Sequence, residues 1–345
     1  MAKGADDPRL DPRIRAMLAT MPPPQARTAK TRDEMVANAN TAEANQRAAL
    51  LQQLLSQVDT ESIAPSKGID ISTHEFESAP DGNTIKLQLI KPEGAGDLPC
   101  IYYIHGGGML EFSCFDPMYQ AWGRMIAHQG VAVAMVDFRN ALRASSAPEI
   151  APFPAGLNDC VSGVKWVSEN ASTLGIDKNA IIIAGESGGG NLTLATGLKL
   201  KQDGDIGLVR GLYPLCPYIA GSWPRADLPS SSENNGILLD LHEFGGAIAY
   251  GIEAFEARDP LAWPLFASEA DVKGLPPVMI SVNECDPLRD EGIAFYRLLL
   301  KAGQPAQCRN VIGTSHGLEI ATHLCPDISR QTAASLAQFL RDVSA

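Results

Sequence analysis

The chain lacks an apolar run long enough to cross a bilayer: stretches such as Gly130–Val136 and Ala180–Ala184 fall far short of the about 20 residues that a membrane helix needs. It also lacks a basic stripe. With 28 Lys and Arg against 40 Asp and Glu, the formal charge of −12 repels polyphosphate and anionic lipid, so neither nucleic acid nor a membrane is an expected partner. The seven cysteines (100, 114, 160, 216, 285, 308 and 325) are scattered and form no C-x-x-C pair, which argues against zinc or dithiol chemistry and for packing thiols. The opening Met1-Ala-Lys-Gly-Ala-Asp-Asp-Pro8 puts acids and a proline where a secretory signal carries its apolar core, so the expected location is the cytoplasm.

What remains is a folded chain of globular size. Its 345 residues suffice for one large α/β domain or two ordinary ones, and 45% hydrophobic with 20% charged residues is a globular balance. Residues 1–60 are rich in Ala, Gln and Asn, and Leu50, Leu51, Leu54 and Leu55 repeat as on an amphipathic helix. Two strand-like runs follow, 71–78 and 84–90, around the turn Pro80-Asp81-Gly82-Asn83. Apolar runs then alternate with helix-length segments at 100–104, 131–136, 180–184, 208–212, 278–282 and 307–312. That alternation predicts a mostly parallel eight-stranded sheet with helices on both faces. The long interval between Pro214 and Pro277 breaks the rhythm. Its segment 217–262, with a helix-like stretch over 241–255, is expected to join residues 1–60 as a cap over the strand ends, leaving 61–345 as the catalytic unit.

Gly185-Glu186-Ser187-Gly188-Gly189 fits G-x-S-x-G between the apolar run 180–184 and a helix predicted from about Gly190. Glycines flank the serine because a sharp strand-to-helix turn leaves no room for Cβ atoms. A glycine-rich turn can also cradle phosphate, but neither G-x-x-x-x-G-K-[ST] nor G-x-G-x-x-G occurs at this turn. A serine hydroxyl needs a base and an orienting carboxylate, which should follow in the order Ser, acid, His after late strands. His316, just past the run 307–312, is preferred over His74, His128, His242 and His323. Asp286, just past 278–282 and before Pro287, is preferred over Glu284, Asp290 and Glu291. After the run 100–104 comes His105-Gly106-Gly107-Gly108-Met109, whose glycines let main-chain N–H groups approach a developing oxyanion. The amides of Gly107, Gly108 and Gly188 are the expected donors, and His105 is expected to anchor the loop. Met109, Leu110, Phe112 and Trp263 are candidates for an apolar pocket, with Trp223 and Phe266 nearby. No metal or organic cofactor is called for.

His105-Gly-Gly-Gly108, Gly185-Glu-Ser-Gly-Gly-Gly-Asn191, Asp286-Pro-Leu-Arg-Asp-Glu-Gly292 and His316-Gly317 together resemble the hormone-sensitive-lipase-like branch of the α/β-hydrolases, the bacterial family IV esterases. The likeness covers roughly residues 70–345. It implies an α/β-hydrolase fold with a helical cap, and a serine carboxylesterase acting on small-molecule esters (short to medium acyl, aryl or lactone), with a homodimer as the one further partner. Two departures bear on substrate preference. Glu186 and Gly188 stand where the family usually has Asp and Ala, and Phe138-Arg-Asn-Ala-Leu-Arg143 replaces the usual Tyr-Arg-Leu-Ala-Pro-Glu. The alternatives are an amidase or deacetylase, and a small-molecule receptor on a disabled hydrolase scaffold; the retained His316 speaks against the receptor.

Overall fold

Strands β1 (Ile69–Ser78) and β2 (Asn83–Pro92) pair antiparallel across the Pro80–Gly82 turn, Ser78 facing Asn83. The computed structural model describes residues 3–21, 29–56, 60–241 and 244–345, apart from the side chains at 51, 52, 54 and 55. Six further strands complete the sheet: β3 (Leu98–Ile104), β4 (Ala132–Asp137), β5 (Ile176–Glu186), β6 (Gly211–Leu215), β7 (Val278–Asn283) and β8 (Ala306–Val311). Their order is β1-β2-β4-β3-β5-β6-β7-β8, antiparallel through β4 and parallel from there on. This is the mostly parallel sheet expected from the alternation of apolar runs and helices, and the α/β-hydrolase fold that the family resemblance implies.

The inner strands are buried on both faces, so they read as continuous apolar runs rather than as alternating ones. On one face Tyr103, Met135 and Ile182 pack with Trp122 of the helix Pro117–Ala127 and Leu336 of the helix Pro326–Ser344. On the other, Tyr102, Ile183 and Leu212 pack with the helices Ala155–Glu169, Gly188–Asp203 and Arg289–Lys301. The sixth strand starts three residues later than the apolar run 208–212 suggests. Ile206–Leu208 instead turns as a 3-10 helix, because Ile182–Glu186 of β5 pairs with Gly211–Leu215.

Residues Pro12–Thr20 form a helix whose N-cap, Asp11, accepts from the Arg13 amide. Leu10, Ile14 and Leu18 pack on Ile237, Cys285, Leu318 and Cys325, so this N-terminal helix braces the loops that follow β7 and β8. The side chains of Leu51, Leu54 and Leu55, on the helix Ala42–Ser56, lie outside the described residues, as does His242, while Leu50 is exposed. The stretch expected to be helical over 241–255 is two short helices, Gly245–Tyr250 and Ile252–Glu256, separated by Gly251 at φ 159°. Among the described residues no helix is long and apolar enough to cross a membrane.

Candidate active site

Ser187 is the pivot between β5 and the helix Gly188–Asp203, with φ 58° and ψ −118°. An L-residue there is strained by about 1–3 kcal/mol and is held only because its surroundings over-determine it. Its N–H donates to Leu215 O at 2.9 Å, and its carbonyl accepts from Asn191 and Tyr218, both at 3.0 Å. A Cβ on Gly189 would meet the backbone of Ile104 and His105, so only glycine allows the helix to pack so close to β3.

The loops after β7 and β8 bring the other two side chains to the same edge. Cys285 N–H donates to Thr314 O at 2.9 Å, Ser315 Oγ donates to Cys285 O at 3.0 Å, and Thr314 Oγ1 donates to Asn283 Oδ1 at 2.8 Å. His316 Nδ1 then lies 2.8 Å from Asp286 Oδ2, and its Nε2 lies 2.7 Å from Ser187 Oγ. The carboxylate can only accept, so Nδ1 carries the proton and Nε2 is left to accept from the serine hydroxyl. Asp286 is fully buried, and its Oδ1 accepts from Leu288 N–H at 2.8 Å. The competing acids have other partners: Glu284 and Asp290 pair with Arg289, and Glu291 accepts from Ile219 N–H at 2.6 Å and Trp223 Nε1 at 2.9 Å. Burial pushes the Glu291 carboxyl up to about 8.

The structure brings the glycine loop beside the nucleophile. Gly107 has φ 90°, and a Cβ there would run into Glu111 O. A Cβ on Gly188 would sit 2.7 Å from Gly108 N, which measures how closely the start of the elbow helix approaches that loop. His105 is buried, stacked on Phe138 with centroids 4.3 Å apart, and pushed down by desolvation.

A cavity of about 550 Å³ opens over this edge, lined by Ser187, His316, Gly107, Gly108 and an apolar wall that includes Leu110, Phe112, Tyr218, Trp223, Leu239 and Leu241. Of the four pocket candidates, Leu110 and Phe112 face it. Met109 does not: it is 1% exposed and buried in the core under the loop. Trp263 stands behind the wall, edge-on to Trp223 at 6.1 Å and to Tyr218 at 5.5 Å. Tyr218 stacks on Trp223 at 4.5 Å and was not singled out in the sequence. Its one signal was its position shortly after a strand run, at the start of the long interval. Cys216, Asp286 and His316 place one potential metal-ligating atom each within 4.8 Å of the others. The imidazole nitrogen on that side already holds the proton shared with Asp286, and burial pushes the Cys216 thiol up, so a cation there would have to displace both protons.

A family model described as the alpha/beta hydrolase fold matches residues 101–320. The chain is 32% identical to the carboxylesterase NlhH of Mycobacterium tuberculosis over 256 residues, covering 72% of this chain and 75% of that protein. It is 28% identical to an arylesterase of Saccharolobus solfataricus over 299 residues, covering 84% and 87%. Among solved structures it is similar to esterase Est22, with a TM-score of 0.95 and 60% identity over 99% of this chain and 100% of that one. It is also similar to brefeldin A esterase, described as a bacterial homologue of human hormone-sensitive lipase, with a TM-score of 0.87 and 34% identity over 98% and 95%. The segments Asp137-Phe-Arg-Asn-Ala141 and Asp259-Pro-Leu-Ala-Trp-Pro264 already pointed toward that esterase within the family. Motifs, fold and relatives agree that the chain belongs to the hormone-sensitive-lipase-like branch of the α/β-hydrolase family and is a serine carboxylesterase.

Proposed function

We propose that Ser187, His316 and Asp286 carry out a two-step hydrolysis of short to medium acyl esters, aryl esters and lactones among them. Ser187 Oγ attacks the carbonyl carbon as His316 Nε2 takes its proton. The tetrahedral oxyanion is held by the amides of Gly107, Gly108 and Gly188. Asp286 keeps the imidazole oriented and stabilises it once protonated. His316 then gives the proton to the leaving alcohol, and water releases the acid through the same transfers in reverse. Fixed amide donors favour the oxyanion over the flat carbonyl, each by about 3 kcal/mol of barrier.

The observation that carries this reading is the unbroken chain Asp286–His316–Ser187, at 2.8 and 2.7 Å, at the floor of a mostly apolar cavity. The cavity's size supports small esters, and a solved structure of Est22, 61% identical, holds p-nitrophenol. An alkyl phosphonate fluoride should leave one covalent adduct on Ser187, found by peptide mass spectrometry; an adduct elsewhere, or full activity in Ser187→Ala, refutes the assignment. An acyl-length series of nitrophenyl esters should peak at short to medium chains, and a burst of nitrophenol separates an enzyme from a binder.

We also read residues 1–60 and 217–262 as the cap and 61–345 as the catalytic unit. Supporting this, the helix Arg32–Ala39 packs on Gly245–Tyr250, and Leu239 and Leu241 form part of the cavity wall. Seven unpaired thiols fit a reducing compartment such as the cytoplasm. A homodimer is the assembly to test by light scattering.

A further inference from the structure

Glu186 takes no part in the proton relay, yet it is 3% exposed and bonded on both carboxyl oxygens. Oε1 accepts from the Gly106 amide at 2.7 Å and from the Tyr119 hydroxyl at 2.5 Å, and Oε2 accepts from the Tyr103 hydroxyl at 2.6 Å. The Gly106 amide also reaches the Tyr119 oxygen, at 2.9 Å. One carboxylate, attached to the residue before the nucleophile, therefore grips the peptide that leads into Gly107 and Gly108. We propose that ionised Glu186 is a positioning residue that sets the spacing between Ser187 and the oxyanion amides, so that its charge governs kcat through Gly106. The proposal rests on the triad and oxyanion reading above.

The chemistry of the three donors makes the charge matter. A carboxylate only accepts, so it satisfies two phenols and an amide at once; a protonated carboxyl, or an amide in its place, brings a donor of its own on the Oε2 side, and Tyr103 must turn from donor to acceptor. The Gly106 N–H keeps its place on Oε1 but now donates to a neutral oxygen, so the loop loses the charge-assisted part of its anchor. The groups facing the carboxyl from its neighbours are Tyr103 on β3, Tyr119 on the helix Pro117–Ala127 and Cys216 after β6, with His105 on the loop behind Tyr119, ring centroids 5.6 Å apart. Burial raises the phenols and the thiol and lowers the imidazole, leaving all four neutral near pH 7. Desolvation pushes Glu186 up to about 7 against the pull of its donors, so its ionisation falls within the working range of a neutral esterase.

The test is steady-state hydrolysis of a nitrophenyl butyrate by native enzyme, Glu186→Gln, Glu186→Asp and Ser187→Ala from roughly pH 5 to 9, with thermal melts of each. Displacing an oxyanion donor predicts that Glu186→Gln loses about 10- to 100-fold in kcat with KM within about twofold. Its acid limb should be less steep than the native limb, having lost the titration of Glu186. Glu186→Asp, which keeps the charge on a shorter arm, should recover part of kcat. Native kcat and an unchanged limb in Glu186→Gln overturn the proposal while an inactive Ser187→Ala leaves the triad standing; an active Ser187→Ala overturns the triad itself. If Glu186→Gln does not fold, Tyr119→Phe replaces it: a kcat several-fold down at constant KM supports the proposal, and an unchanged kcat overturns it.

Discussion

At the elbow, the floor of the cavity is held by main chain against main chain. Ser187 is tied to Leu215, Asn191 and Tyr218 through backbone groups, and the elbow presses on the carbonyl ends of β3 closely enough that Gly189 has no room for a methyl. The roof is held by side chains that reach across to main-chain carbonyls, as Arg32 Nη2 does to Ala141 O and Asn40 Nδ2 to Leu142 O, both roughly as long as the bonds of the floor. The helices of its insertion, Gly245–Tyr250 and Ile252–Glu256, are only a turn or two long. The bonds are similar in length, but the floor tolerates no change of shape, whereas the roof asks only for apolar volume and a few anchors. On the proposed mechanism, chemistry falls to the part that cannot vary and substrate choice to the part that can.

Five substitutions probe that contrast, beginning with the most damaging. Ser187→Ala or His316→Ala should lower kcat by about 10⁴-fold or more, with KM and the melting temperature little moved, because floor geometry survives the loss of one reacting atom. Gly189→Ala should lose about 3 kcal/mol of stability or more in denaturant titrations, as its Cβ would lie 2.7 Å from His105 O with no side chain there to yield.

Glu291 connects floor to roof, since it sits on the acid loop's helix and holds Ile219, Ala220 and Trp223. Its folded-state carboxyl is raised from 4.5 to about 8, so the folded chain keeps a proton that the unfolded chain releases. The stability it contributes is complete below 4.5 and is lost as pH rises through 8, on the order of a few kcal/mol. Glu186, raised to about 7, acts with the same sign over a narrower window. Melting temperature should accordingly fall between about pH 5 and 8, and Glu291→Gln should flatten the upper part of that decline. A pH-independent melt in the native enzyme would contradict the buried, protonated state. The smallest effect belongs to the roof side. Phe112→Ala, at a residue 39% exposed on the cavity wall, should leave stability unchanged and raise KM for aryl esters about three- to tenfold while sparing acetyl esters of small alcohols.

The floor was largely legible in the sequence. Ser187 needs glycines around it and a strand before it; His316 and Asp286 need loops after late strands; the amides need consecutive glycines. Each requirement is local and narrows the residue type to one or two. The roof was not legible in this way. Met109 and Trp263 looked as suitable as Leu110 and Phe112, because an apolar side chain next to a glycine loop or in an insertion can turn inward to the core or outward to a ligand. Met109 turned inward under the loop, and Trp263 became the backing on which Tyr218 and Trp223 rest. Tyr218 is hidden for the same reason: after a strand, a tyrosine reads as core. The helix expected over 241–255 split at Gly251 because periodicity shows an apolar face but not where the chain must turn to lay that face on its neighbours.

Glu186 marks the boundary between the two kinds of information. From the chain alone it is the variable position of the elbow, with nothing to say which way it points. Only folding places it under Gly106, between two phenols that come from β3 and from the helix after the glycine loop. The order Ser187, Asp286, His316, the sequence of strand runs and the consecutive glycines 106–108 were set by the sequence itself, since each is read from a residue and its covalent neighbours. The ionisation of Glu186 and Glu291, the identity of the cavity wall and the bracing of the acid and base loops by the N-terminal helix were decided by tertiary structure, because desolvation and contact exist only once distant segments exclude water together.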